Sequence, residues 1–153
     1  MMDEYRELYQ QIILDHNKNP RNFTTIDPST HHAEGYNPLC GDHYTIFMNV
    51  EGDVIRKVGF QGNGCAISKA SASVMTTLLK GKTIAEAEHL LELFHDVVMG
   101  KQELPSDDDD DPALDKIRAF VGVRDFPVRV KCATLPWHAA KAALHEADQV
   151  STE

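Results

Sequence analysis

Three cysteines and one aspartate carry the chemistry that stands out in this sequence. Cys40 lies in Leu39-Cys40-Gly41-Asp42. Cys65 lies in Gly62-Asn63-Gly64-Cys65-Ala66. Cys132 lies in Arg129-Val130-Lys131-Cys132-Ala133. Glycine beside the first two lets the backbone take positive φ and approach a ligand closely. All three fall where the pattern predicts the end of an element, whereas a cysteine that only fills a core tends to sit inside one. Cys65 and Cys132 are expected just ahead of helices. Unpaired N–H groups and the helix dipole favour an anion there, so thiols lose their protons more easily. Three thiolates and one carboxylate form a plausible tetrahedral Zn²⁺ set. Asp42 follows Cys40 by two residues, and an extended strand would put both on one face. Asp is rare in purely structural zinc sites and exchanges more readily than a thiolate, which suggests a site built to open.

Other readings of the same residues stay open. The cysteines lack C-x-x-C spacing, so redox chemistry, catalysis or core filling also fits. Asp42 alone also suits a turn or cap. His43 and His138 are spare ligand candidates. The pair His31-His32 sits in a loop and receives no role.

The elements that must position these residues follow from periodicity. Tyr5, Leu8, Tyr9, Ile12 and Ile13 give residues 3–17 one apolar helical face, ended at Asn19-Pro20. Residues 24–41 read as irregular, with a weakly signalled strand around His31 to Tyr36. Tyr44 to Val50 and Val54 to Phe60 read as an antiparallel hairpin about Glu51-Gly52-Asp53. Ala66 to Leu79 reads as a helix closed by Gly81. Thr83 and Glu86 form a capping box opening a helix to about Met99. Residues 100–112 form an acidic loop, in which the run Asp107 to Asp111 is read as solvated. Pro112 opens a further helix to about 122, with Leu114, Ile117 and Phe120 on one face and Gly122 at its end. Arg124 to Lys131 reads as irregular or extended. Thr134 to Ala147 reads as the last helix, with Pro136 in its first turn. Grouped strands followed by helices predict an α+β fold: a small antiparallel sheet of about three strands packed against helices.

The chain has 153 residues, which suits a single domain over 1–153. A net charge of −9 argues against nucleic-acid and anionic-membrane partners. No apolar run reaches the ~18 residues of a membrane span. The charged start Met-Met-Asp-Glu-Tyr-Arg-Glu lacks a signal core, so a cytoplasmic location is expected. Three thiols cannot pair completely, and that compartment keeps them reduced.

Together Leu39-Cys40-Gly41-Asp42, Gly62-Asn63-Gly64-Cys65-Ala66-Ile67-Ser68 with its Ala/Ser-rich helix, and Lys131-Cys132-Ala133 resemble the three cysteine motifs of the IscU/SufU/NifU-N family. The resemblance extends from the first helix through Asn19-Pro20-Arg21-Asn22 to the last. It is of the SufU type in two respects. The stretch from Cys65 to Cys132 is long and holds the extra segment around Gly100 to Gly122. Lys131 precedes the third cysteine, where IscU-type scaffolds carry His. Their chaperone-binding Leu-Pro-Pro-Val-Lys motif is replaced by Phe126-Pro127-Val128-Arg129-Val130.

The resemblance implies a zinc-dependent sulfurtransferase with metal ligands Cys40, Asp42, Cys65 and Cys132. Cys40 is the implied sulfur acceptor, and Arg129 matches a basic position near the site. The implied partners are a SufS-type cysteine desulfurase, which supplies persulfide sulfur, and a SufBCD-type scaffold complex. Two alternatives remain: a scaffold that assembles iron into a [2Fe–2S] cluster and hands it on, and a structural zinc adaptor that activates the desulfurase.

Overall fold

The computed structural model describes residues 11–38, 41–104, 112–145 and 149–151. Cys40 and the run Asp107 to Asp111 lie outside them, as does the first part of the expected N-terminal helix. Its described part, α1, covers residues 11–18 and buries Ile13 and His16. Asn19 N–H still donates to the Asp15 carbonyl at 2.8 Å before Pro20 ends the helix.

Three antiparallel strands follow: β1 (His31–Asn37), β2 (Asp42–Glu51) and β3 (Val54–Asn63). The weakly signalled first strand is therefore a full partner, running from His31↔Met48 to Asn37↔Asp42. A two-residue turn at Gly52 and Asp53 joins β2 to β3, with Gly52 at φ 62°. β3 runs past the expected Phe60. Gly62 and Asn63 stay in the ladder opposite Tyr44 and His43. Glycine is required at position 62, where φ is 142° and a β-carbon would meet the His43 backbone. Along β2, Asp42, Tyr44, Ile46 and Met48 point inward while His43 points out. That alternation is the pleat of a strand with one buried face.

Cys65 is the N-cap of α2 (Ala66–Leu79), the centre of the helical layer. Ala70, Ala72, Val74 and Met75 are fully buried, as are the hydroxyl residues Ser68, Ser71, Ser73 and Thr76. Small side chains let the neighbouring helix approach, and each buried hydroxyl has a partner. Ser71 Oγ donates to the Ala133 carbonyl at 2.5 Å and accepts from Trp137 Nε1 at 2.9 Å. Gly81, at φ 85°, lies just past the C-cap Lys80. The expected capping box opens α3 (Ile84–Val98): Thr83 Oγ1 accepts from Glu86 N–H at 3.1 Å, and Glu86 accepts from Thr83 N–H at 3.1 Å.

The C-terminal third departs from expectation. α4 (Pro112–Arg118) is shorter than expected, so Phe120 and Gly122 are not in it. Phe120 instead caps a 3₁₀ turn, Val121–Asp125. The last helix, α5 (Pro127–Leu144), begins well before Thr134. The segment expected to be irregular is thus the 3₁₀ turn and the first helical turns. Pro127 starts the helix, where its missing N–H costs nothing. Pro136 lies in the helix interior. A short strand, β4 (Gln149–Ser151), pairs in parallel with β1, giving the order β3-β2-β1-β4. Sequence gave no sign of it.

α5 packs across β1 and β2 and against α2, and α3 covers its other side. Phe94 of α3 stacks on Trp137 of α5 at 4.0 Å between centroids, with Phe120 edge-on at 5.6 Å. The expected three-stranded antiparallel sheet covered by helices is present. No described helix is long and apolar enough to cross a membrane.

Candidate metal centre

Three chain segments converge where the sheet meets the helical layer. Asp42 opens β2, Cys65 caps α2 after β3, and Cys132 comes from α5. Their donor atoms all lie within 4.8 Å of one another. Asp42 and Cys132 are buried and Cys65 is half-buried. Among the described residues these are the groups placed so that they could hold a metal ion.

Each is held by its neighbours. Asp42 Oδ1 accepts the Cys65 N–H at 2.9 Å, which ties the start of β2 to the start of α2. Its other oxygen, Oδ2, is 3.8 Å from Cys65 Sγ. Cys65 Sγ accepts the Ser68 N–H at 3.4 Å, so the thiol occupies the usual place of an N-cap oxygen. Hydrogen bonding to Cys132 and to Ser68 lowers the Cys65 pKa to about 6 against the opposing effect of burial. Cys132 moves the other way: its hydrogen bond to Cys65, burial and the nearby Asp42 all favour the thiol. The two sulfurs are thus pushed apart, Cys65 toward thiolate and Cys132 toward thiol.

The expected position of Cys65 at a helix N-terminus holds; that of Cys132 does not. Cys132 lies in the second turn of α5, because the helix starts at Pro127, so its amide is already within the helix. It points to the site because that stretch of α5 is buried against α2 and the sheet. The expectation that a strand aligns residues 40 and 42 falls on Cys40, outside the described residues. β2 begins at Asp42, and Gly41 turns the chain at φ 75° with its N–H on the Asn37 carbonyl at 2.8 Å.

The remaining candidates are elsewhere. His43 is exposed on the outer face of β2, its Nε2 3.7 Å from Glu34 Oε1. His138 lies further along α5 and faces His95 of α3 at 5.6 Å between ring centroids, beside a cavity of about 320 Å³. Burial, His95 and Lys141 lower its pKa. Arg129 is exposed in the first turn of α5, its guanidinium 4.5 Å above the Phe126 ring. Sequence patterns did not single out Tyr44 and Ser68, both fully buried beside these donors. The available signals were the alternation that puts Tyr44 on the face of Asp42, and a hydroxyl three residues after a capping cysteine.

The donor set fits a four-coordinate ion. Zn–S near 2.3 Å and Zn–O near 2.1 Å in tetrahedral geometry put sulfur and oxygen about 3.6 Å apart. Cys65 Sγ and Asp42 Oδ2 are 3.8 Å apart. Asp42 already holds an N–H on one oxygen, so the other is the one left for metal.

Residues 8–144 match the family model of the NifU-like N terminal domain. The chain belongs to this family. Among NifU-like relatives it is 44% identical over 132 residues to the zinc-dependent sulfurtransferase SufU of Bacillus subtilis, covering 86% of each chain. It is 36% identical over 143 residues to the iron–sulfur cluster assembly scaffold protein IscU of Streptococcus pyogenes, covering 94% of this chain and 86% of that one. A solved structure of a candidate SUF-system scaffold from Fervidobacterium islandicum superposes with a TM-score of 0.79 at 35% identity, covering 91% of this chain and 98% of that one. The family and fold expected from the cysteine motifs are both met.

Proposed function

We propose that this NifU-like chain serves iron–sulfur cluster assembly as a zinc-dependent sulfurtransferase. In this reading it accepts sulfur from a SufS-type cysteine desulfurase and passes it to a SufBCD-type complex in the cytoplasm. The convergence of Asp42, Cys65 and Cys132 donor atoms within 4.8 Å carries the reading. Identity with a relative named as a zinc-dependent sulfurtransferase supports it. Zinc, when bound, keeps the thiols deprotonated and shields them from oxidation and stray disulfides. Asp42, Cys65 and Cys132 would hold it with Cys40.

The chain's own residues do the rest. The Ser68 N–H steadies negative charge on Cys65. The Cys65 N–H fixes the orientation of Asp42. Cys40 is the acceptor: as a thiolate it attacks the terminal sulfur of the partner's persulfide. A new S–S bond forms at Cys40, the partner's S–S bond breaks, and the partner leaves as a thiolate with no net oxidation. Arg129 is exposed in the first turn of the helix that carries Cys132, and its charge suits an approaching persulfide anion.

The scaffold reading is second, favoured by identity to a relative named as an IscU scaffold. Metal content of the purified chain, measured beside desulfurase turnover with and without it, separates the two. One zinc per chain, a large rise in turnover and no sulfur uptake by Cys40→Ala are expected. Iron with acid-labile sulfide and unchanged turnover would replace this reading with the scaffold.

A further inference from the structure

Three oxygens converge behind the ligands on the α-carbon of Gly64. A β-carbon there would lie 2.5 Å from Ser68 Oγ, 2.5 Å from Tyr44 Oη and 2.7 Å from Asp42 Oδ1. Tyr44, Ser68 and Asp42 are all buried, with exposures of 0%, 0% and 1%. A buried phenol and a buried hydroxyl packed this tightly must share their protons in a defined order.

Tyr44 Oη and Ser68 Oγ are 3.0 Å apart. Ser68 Oγ also lies 3.1 Å from the Cys65 carbonyl and 3.6 Å from Cys65 Sγ. A thiolate held as a metal ligand is a stronger acceptor than the carbonyl, so the Ser68 proton turns toward Sγ. Tyr44 donates to Ser68 Oγ and so makes the Ser68 proton available. Cys65 Sγ then receives two donors from one residue, the Ser68 N–H and O–H.

We propose that Ser68, backed by Tyr44, is a positioning residue that fixes Cys65 as the anchored thiolate of the metal centre. The inference rests on reading the site as a metal centre and adds which ligand stays. A thiolate that receives two hydrogen bonds is oriented and has part of its charge drawn off. Its sulfur is thereby held in place and made less nucleophilic toward sulfur exchange.

Cobalt(II) is the probe, since its thiolate charge-transfer band reads electron density on sulfur directly. Ser68→Ala removes the O–H and keeps the N–H; Tyr44→Phe removes the support. The expected result is a red shift of the band in Ser68→Ala, with cobalt affinity about 10- to 100-fold weaker, as for other groups that orient a metal ligand. Tyr44→Phe should shift the band in the same direction by less. If Ser68→Ala does not fold, as judged by its circular dichroism, Tyr44→Phe decides alone. An unshifted band in the folded variant overturns the role of the hydroxyl pair and leaves the metal centre standing. No thiolate band in the wild-type protein would overturn the metal reading, and this inference with it.

Discussion

Acid should loosen this fold through one histidine far from the sulfur chemistry. His16 of α1 is only 5% exposed, and its Nδ1 lies 2.7 Å from Ser73 Oγ of α2. Ser73 Oγ already accepts the Arg21 N–H at 2.8 Å, so its own proton is available to a neutral imidazole. Burial, then Arg21, lowers the His16 pKa from 6.5 to about 4. The unfolded chain takes a proton at about pH 6.5, and the folded chain does not until about pH 4. The stabilising effect is therefore complete above pH 6.5 and is lost as pH falls toward 4. At about 1.4 kcal/mol per pH unit the loss reaches about 3 kcal/mol. For a chain of this size that equals a fall in Tm of about 6–12 °C. Urea unfolding of metal-free protein, read from the single buried Trp137, measures it against His16→Gln, so that other titrating groups cancel in the difference. The gap between the two proteins should close by about 3 kcal/mol from pH 7 to pH 4. A gap that stays constant over that range would refute the reasoning.

Gly64→Ala places a methyl against Ser68, Tyr44 and Asp42. Overpacking of this kind costs about 1–3 kcal/mol, and here the strain falls on the ligands, so zinc affinity measured by chelator competition should drop more than apo-protein stability. Equal losses in both would place the strain in the core. Arg129→Ala should leave zinc content and Tm unchanged, because the side chain is exposed on Phe126. It should raise the KM for sulfur uptake from the desulfurase; an unchanged KM removes its steering role.

Most of the sheet and two helices were legible because their signals are local. Alternation in Tyr44 to Val50, the Thr83 and Glu86 box, and the small residues of Ala66 to Leu79 each act within a few positions. The cysteines were legible for the same reason: glycines beside Cys40 and Cys65 mark tight connections. What escaped was decided at long range. Val128, Arg129 and Val130 look extended by propensity, yet burial of α5 from Cys132 onward draws them into the helix from Pro127. Pro136 resembled a helix start. It nevertheless lies inside the helix, and Ser71 of α2 donates to the nearby Ala133 carbonyl, a contact no local pattern announces. β4 exists only because β1 offers it an edge. Ser68 and Tyr44 became informative only once their oxygens met behind Cys65.

The three donors that converge come from an early hairpin, the middle of the chain and its last helix. During synthesis Asp42 and Cys65 leave the ribosome long before Cys132 does. The hairpin and α2 can pair as soon as they emerge, since their contacts are near in sequence. The site itself waits for α5 to dock. Metal capture through all three would thus be a late event that coincides with closure of the helical layer. A chain truncated before α5 would carry its thiols without the sulfur that completes the set. Stable metal retention would then distinguish finished molecules from nascent or miscarried ones.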